Sequence, residues 1–326
     1  MKALLCKSFG APESLVVENI AAVRAPGSGE VKIAVHAAGL NFADTLMIAG
    51  KYQEKPPLPF SPGMECAGEV VEVGAGITAL SRGDRVMAMT GFGGMAEEVI
   101  ATADRVSRIP SSMTFEQAAG FPVIYGTVYY ALVDRAHLAP GETLLVHGAA
   151  GGVGTIAVEM GRLLGAKVIA TAGSDAKLEL AKKLGAHHAI NYTSQSVKDM
   201  MKELVPGGAD VVFDPVGGDI FDQTLRCIAP EGRILIIGFA SGKIPAIPAN
   251  ILLVKNCEAI GVFWGGFTKR DPARNRRNFE TMLGWIDEGK LRPPVVKSYP
   301  LPEGARAMQD LVSRQSTGKL VVTTRS

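Results

Sequence analysis

Residues 143–166, TLLVHGAAGGVGTIAVEMGRLLGA, carry an apolar run into four closely spaced glycines and out again into a helix-like pattern. Glycine permits a tight turn, and its missing Cβ lets another group come close to the backbone. The helix that follows presents unpaired N–H groups at its start. A strand, such a turn and a helix N-terminus together form a cradle for a pyrophosphate. The spacing is Ala149-x-Gly151-x-x-Gly154, with alanine where the usual fingerprint has its first glycine. Gly151, Gly152, Val153 and Gly154 are the residues expected to hold the phosphates. The bland alternative is a tight strand-to-helix turn with no ligand. A second strand about 20 residues further on argues against it.

Outward from this turn the chain alternates. TLLVHG, AKVIATAG, HAINY, ADVVFDPVG and GRILIIGF read as strands, with helical patterns such as SDAKLELAKKLGA between several of them. Continuous Val/Ile/Leu strands alternating with helices predict an α/β, doubly wound parallel sheet. Upstream, residues 1–122 are rich in Gly and Pro, with short β-branched runs at EVKIAVHAAGL, AGEVVEVGAG, GDRVMAM and EEVIATADRVSRIP. That pattern predicts a compact β-rich domain. The tail mixes a helix at ARNRRNFETMLGWIDEGKL with a final strand at GKLVVTTR. The expected division is a β-rich domain over 1–122, completed by 265–326, and a dinucleotide-binding domain over 123–264.

A chain of 326 residues exceeds one average core. A net charge of +2 gives no electrostatic reason to expect nucleic acid or an anionic membrane as a partner. The opening segment MKALLCKSFG is too short in apolar residues for a signal-peptide core, and no long uncharged apolar run follows. Cys6, Cys66, Cys227 and Cys257 lie far apart without a CxxC pair, which suggests free thiols in a reducing compartment. The chain reads as soluble and cytoplasmic.

The second strand of the alternating region ends in Ala172-Gly173-Ser174, where an NAD-preferring site places an acidic residue for the ribose 2′-OH. A hydroxyl at Ser174 and an ammonium at Lys177 suit a 2′-phosphate instead, so NADPH is the expected cofactor. Asp175 is the countervailing residue, able to point back at the ribose. Ser174 also reads as a plain helix N-cap, and the two roles are compatible. The histidines fall in strands and turns without a nucleophile partner and read as structural. The basic run KRDPARNRR (269–277) reads chiefly as a solvated helix entrance.

Across nearly its whole length the chain resembles the medium-chain dehydrogenase/reductase superfamily, and within it the zinc-independent quinone oxidoreductases, the zeta-crystallin-like branch. The pieces that carry the resemblance are GLNFADTLMIAGKY (39–52), LPFSPGMECAGEVVEVGAGI (58–77), GDRV (83–86), AAGFPVIYGTVYYAL (118–132), HGAAGGVG (147–154), GAHHAINY (185–192), FDPVGG (213–218) and GKLVV (318–322). The resemblance implies a GroES-like catalytic domain and a Rossmann dinucleotide-binding domain. Zinc alcohol dehydrogenases of the superfamily place Cys near residue 41 and Gly-His-Glu near 63–65. Here the residues are Asn41 and Gly63-Met64-Glu65, so no metal is expected.

By the same resemblance, Asn41, Asp44 and Thr127 surround the nicotinamide, which is expected in the cleft between the domains. Asn41 and Thr127 offer neutral hydrogen bonds to the carboxamide and ribose. Tyr52 could polarise the substrate oxygen, or could be a half-buried aromatic before a proline-rich loop. Phe239 and Phe263 supply apolar walls. Lys177, Tyr192 and Arg314 join Ser174 around the 2′-phosphate. The implied reaction is hydride transfer from NADPH to a small-molecule electrophile: a quinone, an enal, or an enoyl thioester. The alternatives are a 2-alkenal or acyl-CoA enoyl reductase and, more distantly, a non-catalytic NADPH-binding crystallin-like or RNA-binding protein. A homodimer joined through the edge of the dinucleotide-domain sheet is expected.

Overall fold

The computed structural model describes residues 1–294, 296–313 and 316–325. The chain divides into two compact units, Met1–Val123 with Phe279–Ser326, and Ile124–Asn278.

In the second unit, six parallel strands lie in the order His188–Asn191, Lys167–Ala172, Thr143–Val146, Ala209–Asp214, Ile228–Ile236, Glu258–Gly261. Taken by chain position this is third, second, first, fourth, fifth, sixth, the Rossmann order, with its reversal between the first and fourth strands. The strands are apolar because both faces are covered. Thr143–Val146 is buried throughout, and Leu145, Ile169, Ile190, Val212 and Ile234 share one core with Phe221. The helices Gly152–Leu163 and Asp175–Lys183 stop where the sequence supplies Gly165 and Gly185. Both glycines adopt positive φ, +84° and +103°, which closes the last helical turn without steric penalty.

In the first unit, the sheet runs Val296–Pro300, Lys319–Thr323, Glu30–Leu40, Glu65–Val73, Arg85–Met89, Val106–Arg108, with Glu98–Thr102 also paired to Glu30–Leu40. Its core gathers Ile33, Val35, Met47, Val70, Val86 and Leu320. Register matters here. Gly39 pairs with Glu65 and Leu40 with Leu320, so Asn41, Glu65 and Lys319 meet at one end of the sheet. The architecture is α/β, a GroES-like β-rich unit and a Rossmann unit. No helix among the described residues is long and apolar enough to cross a membrane.

Candidate active site

Asn41 is the N-cap of the helix Phe42–Ile48, where it forms a capping box with Asp44, and its side chain also reaches Lys319 and Glu65. Lys319 Nζ donates to Asn41 Oδ1 and to Glu65 Oε1, each at 2.6 Å, and Asn41 Nδ2 donates to the same Glu65 oxygen at 2.8 Å. The other Glu65 oxygen accepts from the Val123 N–H at 2.7 Å. The Lys319 and Glu65 side chains are 2% and 0% exposed. Two glycines make room for the pair. A Cβ on Gly39 would stand 2.4 Å from Glu65 Oε1, and one on Gly120 would stand 2.8 Å from Lys319 Cγ. Separations this short are excluded for real side chains, so both positions require glycine for space.

Asp44, also fully buried, holds the neighbouring turns together. It accepts from the Asn41 N–H through Oδ2, and from the Gly63 and Met64 N–H groups through Oδ1. Burial outweighs these donors and pushes its pKa up to about 7. Tyr52 packs half-buried against the unit's core. Burial, helped by the Glu54 and Asp44 carboxyls, raises its pKa, so the phenol keeps its proton as a donor. Asn41 and Asp44 therefore belong to one hydrogen-bonded cluster, which the structure extends to Glu65 and Lys319, while Tyr52 is linked to it only through the charge of Asp44.

In the second unit, the turn after Thr143–Val146 has the shape anticipated for it. A Cβ on Gly154 would lie 2.1 Å from the Gly148 carbonyl, so the helix packs against the turn only because that Cβ is missing. The N–H groups of Gly152, Val153 and Gly154 precede the first helical hydrogen bond, Thr155 N–H to Gly151 O, and find no acceptor among the described residues. Three aligned donors at the head of a 12-residue helix suit a diphosphate. Ser174 occupies the N-cap position of Asp175–Lys183, yet its hydroxyl makes no capping bond. The Tyr192 hydroxyl lies 3.0 Å from where a Cβ on Gly173 would stand, beside Ser174. Lys177 is half-buried on the first turn of the same helix. Asp175 is held elsewhere: Asn191 Nδ2 donates to its Oδ1 at 2.8 Å. These features fit a nicotinamide dinucleotide.

Other expected residues are placed without such clear partners. Thr127 is half-buried on the helix Pro122–Tyr129, Phe239 packs against Gly217, and Phe263 is 52% exposed just beyond the last strand. Arg314 lies outside the described residues. His147 is structural, with its ring nitrogens bonded to the Thr171 and Thr224 hydroxyls, and burial lowers its pKa. Lys319 went unremarked in the sequence. A signal was present, since it opens a strand whose next residues, Leu320, Val321 and Val322, are all apolar.

The chain matches the family model described as "Zinc-binding dehydrogenase" over residues 152–288 and the one described as "Alcohol dehydrogenase GroES-like domain" over 27–111. It is 47% identical to a quinone oxidoreductase-like protein 2 homolog from Nematostella vectensis, across 99% of this chain and 89% of that protein. The crystal structure of Escherichia coli quinone oxidoreductase complexed with NADPH superposes with a TM-score of 0.92 at 30% identity, covering 99% of this chain and 100% of that one. The CurK enoyl reductase structure reaches a TM-score of 0.88 at 27% identity, covering 99% of each chain.

Proposed function

The chain belongs to the zinc-independent quinone oxidoreductases of the medium-chain dehydrogenase/reductase superfamily, and from that premise we propose that it is an NADPH-dependent reductase of quinones and related conjugated carbonyls. The observation that carries the cofactor assignment is the set of unclaimed donors at Gly152, Val153, Gly154 and Ser174, with Asp175 turned to Asn191. When bound, NADPH supplies a hydride with both electrons to the acceptor, which becomes an enolate or hydroquinone anion and takes a proton from water, while NADP⁺ is released. The residues of the chain bind and orient. Gly151 to Gly154 hold the diphosphate, and Ser174, Lys177, Tyr192 and Arg314 hold the 2′-phosphate. In the first unit, Asn41 and Asp44 serve the nicotinamide and substrate end and Tyr52 donates toward the substrate oxygen; in the second, Thr127 serves the nicotinamide end and Phe239 and Phe263 supply its apolar walls.

NADPH oxidation measured over quinones, enals and enoyl thioesters tests this reading. Turnover of 1,4-benzoquinone well above crotonyl-CoA supports it, and no oxidation with any acceptor overturns it. The likeness to the CurK enoyl reductase favours an enoyl reductase as the second reading, which crotonyl-CoA as the preferred acceptor would establish.

Lys177→Ala is expected to weaken NADPH binding about ten- to a hundredfold, the worth of one charge-assisted hydrogen bond to phosphate. NADH affinity should change little. Kd values for both cofactors by nicotinamide fluorescence check this; equal weakening of both would contradict a phosphate contact.

The donor set argues against zinc. Asn41 and Met64 offer an amide and a thioether, and Lys319 already neutralises Glu65. The purified protein is expected to keep its activity in EDTA. Elemental analysis giving about one zinc per chain, with activity lost on chelation, would refute this.

Glu258–Gly261 is an edge strand, and the helix Ala249–Lys255 leading into it exposes Leu253 (77%) and Val254 (80%). Such an edge is normally covered, and pairing with a second copy covers it. Sedimentation at micromolar concentration is expected to give a dimer; a 34.3 kDa species alone would count against it.

A further inference from the structure

The side-chain amide of Asn41 can face only one way. Lys319 Nζ carries donors and no acceptor, and it sits 2.6 Å from Oδ1. Glu65 Oε1, an acceptor, sits 2.8 Å from Nδ2. Flipping the amide would set its N–H groups against an ammonium and its carbonyl against a carboxylate. One lone pair of the Asn41 carbonyl oxygen is therefore held by an ammonium. What the residue keeps for a ligand is its second Nδ2–H, which has no acceptor among the described residues. The amide's orientation is thus fixed, and the group Asn41 presents beyond this cluster as a donor is Nδ2.

The cation behind the amide is a built feature. Gly120 and Gly39 leave space for the Lys319 stem and the Glu65 carboxylate, and the ammonium is shielded from water. The ammonium is paired with Glu65, so what acts on Asn41 is the local field of an ion pair whose positive end meets Oδ1, and that field is screened less than at the surface. A charge-assisted hydrogen bond to Oδ1 draws electron density out of the amide and makes the opposite N–H a stronger donor.

We propose that Lys319 is a positioning residue for the reduction, acting through Asn41: it fixes the amide and strengthens the remaining Nδ2–H as the donor to the acceptor's carbonyl oxygen. Negative charge collects on that oxygen as the hydride arrives at the conjugated carbon and the π pair shifts toward oxygen. Neither Lys319 nor Asn41 gives up a proton; water completes the product. Stabilising charge where it develops lowers the barrier without tightening the ground state. The inference rests on the reductase reading above and specifies its acceptors as those with an oxygen conjugated to the reacting carbon.

Two measurements test it. The first uses the cofactor-free parent protein and needs no folded variant at the pair. The side-chain carbonyl ¹³C and amide ¹⁵N resonances of Asn41, assigned by their loss in Asn41→Asp, are expected downfield of the chain's other asparagines. Resonances within the ordinary asparagine range would overturn the polarisation even if the protein reduced nothing, so this outcome is separate from failure of the reductase reading. The second is kinetic. Lys319→Met alone would strand a buried carboxylate, so it is combined with Glu65→Gln, which removes both charges. With 1,4-benzoquinone, kcat is expected to fall about ten- to a hundredfold, by comparison with loss of an oxyanion donor, while NADPH Kd stays within about threefold. The same pair of changes introduced into Asn41→Ala should lower kcat less than about twofold further, because the route through Asn41 is already gone. An unchanged kcat in the parent background, or losses that simply add, would overturn the proposal.

Discussion

Glu65→Ala is expected to destabilise the first unit by about 3–5 kcal/mol, the range for breaking a buried ion pair from one side. The variant leaves the Lys319 ammonium without its carboxylate in a site that is 2% exposed. It also removes the acceptor used by Asn41 Nδ2 and by the Val123 N–H. Total stabilities of about 5–15 kcal/mol make this a large fraction of what holds a domain folded. Chemical denaturation should show a lower midpoint with an unchanged slope. Removing both charges, as in Glu65→Gln with Lys319→Met, should recover most of the loss. A drop below about 1 kcal/mol for Glu65→Ala, the value typical of a surface pair, would mean that water reaches the site.

The second large effect is a dependence of stability on pH. The folded protein holds the Asp44 pKa up to about 7, above the value of an unfolded aspartate. Between those two values the native state binds a proton that the unfolded state has lost. The stability this contributes is complete below about pH 4 and is lost as pH rises through 7. Three pKa units correspond to about 4 kcal/mol at most. Asp44→Asn removes the titration. The difference in unfolding free energy between parent and Asp44→Asn should therefore be largest in acid and shrink toward neutral pH. A difference that grows with pH would show that the three N–H donors, not burial, govern the carboxyl.

The dinucleotide unit was legible because its signals are local. Strand, glycine turn and helix N-terminus follow one another between residues 143 and 163, and the alternation of apolar strands with helices implied the parallel sheet. Ser174, Lys177 and Tyr192 were within reach of the same reasoning, since each follows a strand end. The buried cluster of the other unit was not legible in this way. Lys319 meets Glu65 across 254 residues of chain and Asn41 across 278, and only sheet register brings them together. Gly39 and Gly120 look like ordinary loop or strand glycines until the groups occupying their missing Cβ positions are known. Asp175 shows the converse. Its sequence position left two orientations open, and a side chain from a neighbouring strand, Asn191, selects between them.

That clasp has a consequence for redesign. On the proposed cofactor reading, Asp175 beside Ser174 is a carboxylate of the kind that reads an unphosphorylated adenosine ribose. Asn191, at the end of the strand His188–Asn191, ties it back while also holding Thr193 through its Oδ1. On the NADPH reading proposed above, coenzyme choice would be encoded partly one strand away from Ser174, as the aim of an acid rather than its absence. On the same reading, conversion toward NADH would begin at Asn191, by releasing a group the protein already carries, before any new residue is added beside Ser174.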